Sequence, residues 1–127
     1  MEKEILKTAT RSLYERLGGE TGVRKIGNDI LDKNFNNPRI GHFFHHVDMD
    51  KLKQLVFEFF SMGLGGPHKY SGRDMLTSHK GLNISETDFE IANDDTINAL
   101  KENGVGEKEI EEVIAILNSM KQDIILK

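Results

Sequence analysis

Cysteine and tryptophan are absent from this chain of 127 residues, and proline occurs only twice. Without cysteine the chain has no disulfide, no thiolate metal site and no cysteine nucleophile, which fits the reducing cytoplasm. No apolar run approaches the roughly 20 residues that a membrane-spanning helix needs. The first residues, MEKEILKTATR, alternate in charge and lack the apolar segment of a signal peptide. We therefore expect a cytoplasmic protein with no membrane partner.

A strong excess of charge of one sign is also missing. The chain has 17 Lys and Arg against 21 Asp and Glu, for a net charge of −4. Residues 1–84 carry 13 basic and 10 acidic side chains, whereas residues 85–127 carry 4 and 11. Neither part has the basic surface that nucleic-acid binding requires. The length fits one domain, which we expect to be monomeric and to span residues 12–127, with residues 1–11 as an N-terminal extension or a short extra helix.

Apolar residues recur at helical spacing through most of the chain, and no segment alternates strictly as a half-buried strand does. The pattern predicts four longer helices and one short helix, at residues 20–35, 48–62, 85–103, 107–125 and near 74–80. Ser85 is followed three residues later by Asp88, which is a weak form of the capping box that begins a helix. The predicted fold class is all-α.

Three of the five histidines lie close together in the sequence. His42 and His46 are four residues apart, and His42 and His45 are three apart, so one helical turn could present two imidazoles to a metal. No cysteine or carboxylate nearby completes a convincing ligand set. The pattern favours a solvated, polar end of a short helix.

His79 differs from these three because its neighbours Met75, Leu76, Leu82 and Ile84 are apolar. A lone histidine in such surroundings is usually a core residue with a satisfied hydrogen bond. The preceding sequence is also rich in aromatic side chains, with Phe43, Phe44, Phe57, Phe59 and Phe60. This surplus fits either an ordinary core or a slot for a flat apolar cofactor. Haem, with its iron held by one histidine, would combine such a slot with a single imidazole.

Five segments in order resemble the truncated haemoglobins, specifically their group I branch: SLYERLGGETGVRKI, NNPRIGHFF, VDMDKLKQLVFEFF, GLGGPHKYSGRDM and SHKGLNIS. The resemblance runs from Ser12 to about Asp123. It implies a truncated globin, a two-over-two helical sandwich in which the helices at 20–35 and 48–62 form one antiparallel pair and those at 85–103 and 107–125 form the other. It also implies haem b (iron protoporphyrin IX) as the cofactor.

The resemblance implies a role for each matching residue. His79 matches the proximal ligand of the haem iron, and Phe44 matches the phenylalanine that packs on the haem face. Further haem contacts are implied at Leu52, Leu55, Phe59, Met75, Leu82, Ile84 and Phe89. The distal ligand pocket is implied at Leu31, Val56 and Phe60. Tyr70 and Arg73 precede His79 and are implied to reach a haem propionate.

Two positions depart from the family pattern. Most group I members have a tyrosine on the second helix where this chain has Leu31, and the family often has a glutamine where it has Val56. Gln54 lies about 200° around the helix from Val56, so it should point away from the pocket. We therefore expect an apolar distal pocket, with Asn28, one turn before Leu31, as the one nearby side chain that could substitute for the missing donor.

A hydrogen bond to a charged group contributes roughly 1.5–3 kcal/mol, so its loss should weaken oxygen binding about 10- to 150-fold. The predicted function is reversible binding of diatomic gases (oxygen, nitric oxide or carbon monoxide) by a haem protein. One alternative is a haem enzyme, a nitric-oxide dioxygenase or a peroxidase-like protein, that needs a reductase as partner. An alternative of another class is a cofactor-free helical interaction module.

Overall fold

The computed structural model describes residues 11–127, and these residues form seven α-helices and one 3-10 helix. In chain order they are α1 (Leu13–Arg16), α2 (Gly19–Asn36), the 3-10 helix (Gly41–Phe44), α3 (Met49–Gly63), α4 (Met75–His79), α5 (Glu86–Glu102), α6 (Glu107–Ser119) and α7 (Lys121–Ile124). No β-strand occurs in this part of the chain, which has a single isolated bridge between Ile84 and Ile125. None of the helices in residues 11–127 is long and apolar enough to cross a membrane.

The prediction of a short extra helix or extension at residues 1–11 lies, apart from Arg11, outside the described residues. Arg11 itself is exposed and precedes α1 without belonging to a helix.

Short-range capping explains where several helices begin. The Ser85 hydroxyl accepts a hydrogen bond from the Asp88 N–H at 3.0 Å, and the Asp88 carboxylate accepts one from the Ser85 N–H at 3.1 Å. The capping box predicted for α5 is therefore confirmed, and it satisfies two N–H groups that the helix leaves unpaired. Asp48 caps α3 in the simpler way, by accepting from the Lys51 N–H at 3.2 Å.

The helices pack as two antiparallel pairs, α2 with α3 and α5 with α6, and α2 crosses α5 between the pairs. Gly27 on α2 lies against α3, where a Cβ added to it would meet Val56 Cγ1 at 3.5 Å. Further along, Lys53 Nζ pairs with Asp32 Oδ1 at 2.9 Å. The contacts of α2 move from Gly27 to Asp32 while their partners on α3 move back from Val56 to Lys53. Since the residue numbers change in opposite senses, the two helices are antiparallel. The predicted two-over-two arrangement is confirmed.

One continuous apolar core lies between the two pairs and beneath α1. Its fully enclosed members include Val23, Phe57, Ala99 and Leu100, none of which exposes more than 1% of its surface. Arg16 joins α1 to α6 at the edge of this core through a two-pronged contact with Glu112 at 2.7 and 3.0 Å. The core occupies one side of α2 and α3 and leaves their other side for the candidate site.

The single helix predicted for residues 107–125 is wrong, because the chain breaks at Met120 into α6 and α7. The Ser119 hydroxyl donates to the Ile116 carbonyl at 2.5 Å, and the Met120 N–H donates to the Leu117 carbonyl at 3.1 Å. These bonds span three residues rather than four and tighten the last turn until the helix ends. The break turns the chain so that α7 packs against α4.

Candidate functional site

His79 is the last residue of α4, a helix of only five residues. Its Nδ1 atom lies 2.8 Å from the Met75 carbonyl oxygen and 3.0 Å from the Ser78 hydroxyl. Because a carbonyl oxygen only accepts, Nδ1 carries the proton and donates it to Met75. The other ring nitrogen, Nε2, is then left with a free lone pair. This is the tautomer that a metal-ligating histidine adopts when a backbone carbonyl orients its ring.

The cap of α4 is Asp74, whose carboxylate accepts from the Thr77 N–H at 2.7 Å. Hydrogen bonds from the Thr77 side chain and N–H lower the pKa of Asp74 below its ordinary value of 3.8. The charged carboxylate also lies at the positive end of the helix. A charged cap thus marks the start of the single turn that carries His79.

The loop after His79 is held by the last residues of the chain. The Gly81 N–H donates to the Lys127 carbonyl at 2.8 Å, and the Leu126 N–H donates to the Ile84 carbonyl at 2.8 Å. Gly81 has φ +87°, a left-handed conformation that glycine adopts at little cost. The position of His79 therefore depends on backbone contacts with residues more than forty positions later in the sequence.

Apolar side chains around His79 remain open to solvent. Leu76 is 45% exposed and Leu82 is 38% exposed, although both are large hydrophobic residues. Met75 and Ile84 are half-buried, and Phe89 at the start of α5 is buried. Leu76 and Leu82 thus present apolar surface near the histidine that the described residues do not cover.

A second apolar face lies on α3. Leu55 and Phe59 are about 160° around the helix from the core residue Phe57, and Leu52 is about 140° away. All three are only half-buried. Within residues 11–127, α2 is the one helix with which α3 makes an extended contact. The side of α3 that faces away from the core is thus apolar, and no helix among residues 11–127 makes an extended contact with it.

Val56 and Phe60, assigned to the distal pocket, lie at the edge of this face and touch α2. The position of a Cβ at Gly27 is 3.5 Å from Val56 and 3.8 Å from Phe60, and Phe60 also packs against the main core. Leu31 is buried, with 4% exposure, but it lies outside the continuous core. The structure thus brings Val56 and Phe60 to the same side of α2 on which Leu31 is buried.

The expected orientation of Gln54 is confirmed. It is exposed, accepts a hydrogen bond from Arg24 at 2.8 Å and donates to Glu58 at 3.2 Å on the outer surface. Neither tyrosine lies on α2 or α3, since Tyr14 is in the main core and Tyr70 follows α3. Asn28 is half-buried.

Tyr70 packs edge-on against Phe59, with ring centroids 5.3 Å apart, and its hydroxyl donates to the Arg73 carbonyl at 2.6 Å. Partial burial raises the pKa of this hydroxyl. The adjoining Ser71 donates to Glu58 through its N–H at 3.0 Å, which ties the segment to α3. The Tyr70 hydroxyl therefore shapes the loop, whereas the exposed Arg73 side chain is free to reach outward.

Phe44 is half-buried at the end of the 3-10 helix, which packs on α2. His42, His45 and His46 are all exposed at this corner. In the described part of the chain, no group of three His, Cys, Asp or Glu residues is placed to hold a metal ion.

Sequence reasoning missed Asn34, a polar residue on the buried face of α2. It is only 8% exposed, and its side-chain oxygen is enclosed without a hydrogen-bond partner. Asn34 comes three residues after Leu31 and four after Ile30, so it lies on the apolar stripe itself. A polar residue in register with that stripe was the signal that could have found it.

The family model for bacterial-like globins matches residues 12–126 of this chain. The chain belongs to this family. Among its relatives, the group 1 truncated haemoglobin of Tetrahymena pyriformis is 32% identical over 117 residues, which cover 92% of this chain and 97% of the relative. That of Synechocystis sp. is 35% identical over 120 residues, which cover 90% and 97%. The predicted group I assignment of this globin is confirmed.

Solved structures place this globin in the same fold. The T. pyriformis truncated haemoglobin in its Fe(III) form is similar with a TM-score of 0.88 at 32% identity, covering 92% of this chain and 100% of that one. A 2/2 haemoglobin from Synechococcus sp., in the cyanomet state with covalently attached haem, has a TM-score of 0.83 at 28% identity, covering 91% and 98%.

Globins carry haem and bind small gas ligands such as oxygen, and the residues of this chain fit a haem group. His79 offers an oriented imidazole with a free Nε2 lone pair. Leu52, Leu55 and Phe59 on α3 present an apolar face, and Leu82 adds exposed apolar surface beside the histidine. A flat apolar ring held at its centre by one nitrogen matches this combination.

Proposed function

We propose that this globin binds diatomic gases reversibly through a non-covalently held haem b whose one protein ligand is His79. Its distal pocket, formed at Leu31, Val56 and Phe60, offers the gas an apolar surface. Oxygen, nitric oxide and carbon monoxide are the ligands that such a site can take. The proposal also includes a monomeric, cytoplasmic protein, as the sequence predicts.

The observation that carries this proposal is the hydrogen bond from His79 Nδ1 to the Met75 carbonyl at 2.8 Å. It holds the ring in one tautomer and leaves the lone pair of Nε2 free to bind a metal. Haem, when bound, supplies an iron atom with one position for this imidazole and a second for the gas. The Ser78 hydroxyl, 3.0 Å from the same Nδ1, adds a second contact that restricts rotation of the ring.

The apolar character of the distal side favours reversible binding over a long-lived oxygen complex. Leu31, Val56 and Phe60 carry no hydrogen-bond donor, and Gln54 is engaged on the outer surface. A donor to a partly charged ligand would contribute roughly 1.5–3 kcal/mol, so oxygen should leave this pocket quickly. Carbon monoxide, which gains little from such a bond, should be held almost as well as in relatives with a donor.

Non-covalent attachment is supported by the reactive side chains that the chain lacks. It has no cysteine, the residue whose thiol attaches haem covalently in c-type haem proteins. Extraction of the haem by acidified organic solvent should therefore leave a colourless polypeptide of unchanged mass, and haem that stays with the polypeptide would contradict the b-type assignment.

Replacement of the ligand tests the assignment of His79 directly. His79→Gly removes the imidazole but leaves a space that free imidazole can enter. We expect the variant to lose the haem absorption spectrum of the wild type and to regain it when imidazole is added.

His45→Gly, which removes an exposed histidine from the 3-10 helix corner, is the matched control and should keep the wild-type spectrum. Tight haem with an unchanged spectrum in His79→Gly without imidazole would overturn the assignment.

A further inference from the structure

Residues 64–74 connect α3 to α4 without a helix of their own and run back along α3. The His68 N–H donates to the buried Ser61 hydroxyl at 3.1 Å, and the Ser71 N–H donates to the Glu58 carboxylate at 3.0 Å. As the residue number rises from 68 to 71 in this segment, that of the partner on α3 falls from 61 to 58. The segment is therefore antiparallel to α3 and returns the chain toward the middle of that helix before α4 begins.

Glu58 holds Ser71 through two hydrogen bonds. Its Oε1 atom accepts from the Ser71 N–H at 3.0 Å and from the Ser71 hydroxyl at 2.6 Å, and its Oε2 atom accepts from Gln54 at 3.2 Å. These hydrogen bonds, those from Ser71 first, lower the pKa of Glu58 below its ordinary value of 4.5. The carboxylate is therefore charged at neutral pH, and both of its oxygens accept hydrogen bonds.

A series of hydrogen bonds continues from this contact to the candidate iron ligand. The Tyr70 hydroxyl donates to the Arg73 carbonyl at 2.6 Å, and Asp74 then caps α4. Met75, the first residue of α4, provides the carbonyl that lies 2.8 Å from His79 Nδ1 and accepts its proton. The orientation of the imidazole therefore depends on where this turn holds the start of α4.

Helix packing gives α4 no comparable support from α3. Within residues 11–127, α7 is the one helix with which α4 makes an extended contact, and α2 is the one with which α3 does. In the same part of the chain, the bonds from Ser71 to Glu58 are the last hydrogen bonds to α3 before α4 begins. The placement of α4 relative to α3 therefore depends on this attachment.

We propose that Glu58 is a positioning residue for the proximal side: by holding Ser71, its carboxylate fixes where α4 begins relative to α3 and so how His79 presents Nε2. This inference rests on the proposed function, since it takes His79 as the ligand of a bound haem. It gives α3 two roles. The apolar face of α3 offers a surface to the cofactor, while Glu58 holds the segment that leads to the ligand.

The first test measures the iron–histidine stretching band of the ferrous protein without gas, by resonance Raman spectroscopy. A hydrogen bond from the second ring nitrogen to a carbonyl makes an imidazole a more basic ligand. When Glu58→Leu releases the start of α4, the bond from His79 to the Met75 carbonyl should weaken, and the band should move to lower frequency. Glu58→Gln keeps a side-chain oxygen that accepts from Ser71, so its band should stay close to that of the wild type.

Glu90→Leu is the matched control, because it makes the same change at an exposed glutamate of α5. It should leave the iron–histidine band unchanged. The carbon–oxygen stretching band of the carbon monoxide complex, which reports on the distal side, should be the same in all four proteins. An unchanged iron–histidine band in Glu58→Leu, an equal shift in Glu58→Gln, or a comparable change of the carbon–oxygen band would overturn the proposal.

The second test follows the segment itself in the carbon monoxide complex, by NMR measurement of amide hydrogen exchange. In Glu58→Leu the Ser71 amide should exchange about twofold to tenfold faster, as for the loss of one hydrogen bond. The His68 amide, which donates to Ser61, should exchange at its wild-type rate. Equal acceleration of both amides, or of neither, would also overturn the proposal. Failure of the wild type to bind haem would instead contradict the proposed function, so the two failures are distinct.

Discussion

On the side of His79 the chain uses short elements tied by hydrogen bonds, whereas on the side of Leu31 it uses two long helices packed through apolar side chains. The proximal helix has five residues, and α2 and α3 have 18 and 15. A helix of one turn is not stable by itself, because nucleation costs more than the few bonds it forms return. The proximal side therefore depends on Asp74 at one end and on residues 125–127 at the other.

This difference separates two properties of the site. Changes on the proximal side should alter how firmly the cofactor is held, because they loosen the segment that carries the proposed ligand His79. Changes on the distal side should alter which ligand stays bound and for how long, because α2 and α3 keep their packing. Four experiments test this separation, and their expected effects decrease in order.

The largest effect should come from a donor added to the distal side. Leu31→Tyr places a hydroxyl where the family usually has one, and Leu31→Phe is the control of nearly equal size without it. We expect oxygen dissociation from the tyrosine variant to be about 10- to 150-fold slower than from the phenylalanine variant, for a bond of roughly 1.5–3 kcal/mol. Stopped-flow measurement of oxygen release decides this.

If wild type, Leu31→Phe and Leu31→Tyr all release oxygen slowly, another donor already occupies the pocket. The assignment of an apolar distal side would then be wrong. The haem content of all three proteins should stay the same, since none of the changes touches the proximal side.

The proximal side is weakened by deleting Leu126 and Lys127. This removes both backbone hydrogen bonds to the loop after His79, yet Leu126 is 66% exposed, so little apolar contact is lost. At about 0.5–1.5 kcal/mol for each bond, haem should transfer to a scavenger protein about fivefold faster or more.

Lys127→Ala keeps the backbone carbonyl that Gly81 uses and should release haem at the wild-type rate. An unchanged rate in the deletion would show that the tail does not position the proximal segment. Oxygen dissociation should respond much less than haem release, and the reverse order would contradict the comparison.

A smaller effect concerns the charge on Asp74. Its pKa is lowered from 3.8 by hydrogen bonds from Thr77, so the ionised form stabilises α4. This contribution is present above about pH 3.8 and is lost as the pH falls through the lower pKa of the folded protein. In an NMR titration of the carbon monoxide complex, the Asp74 carboxyl should titrate below 3.8 and the Thr77 amide should shift with it.

Asp74→Asn serves as the control, because asparagine can still accept from the Thr77 N–H but has no carboxyl to titrate. Its Thr77 amide should not follow the acid titration seen in the wild type. A Thr77 amide that shifts near pH 7 instead would assign the pH dependence of α4 to another group.

The smallest effect is expected at His46. It is exposed and precedes α3 rather than lying on its apolar face. The ferrous protein without gas should therefore be five-coordinate, and His46→Ala should leave its spectrum unchanged. A low-spin ferrous spectrum with two histidine ligands in the wild type, lost in His46→Ala, would contradict this.

Much of the architecture was predictable because the signals are local. The apolar period of 3.6 residues located α2, α3 and α5 to within one or two residues, and Ser85 with Asp88 marked the start of α5. The orientation of Gln54 followed from helical geometry alone. The division of residues 107–125 into two helices was not predictable, since it results from hydrogen bonds that tighten one turn and from the docking of α7 on α4.

The site divides in the same way. The resemblance to the truncated haemoglobins made His79 the candidate ligand and put Leu31 and Val56 at the positions where the family has donors, and the composition excluded attachment of a cofactor through a thiol. Four features follow from the tertiary structure alone. They are the tautomer of His79, the hydrogen bond from the Tyr70 hydroxyl to the Arg73 carbonyl, the hydrogen bond from the Gly81 N–H to the Lys127 carbonyl, and the unpaired side-chain oxygen of Asn34. Each of these depends on which groups meet in space, because a hydrogen bond is formed or lost within a few tenths of an ångström.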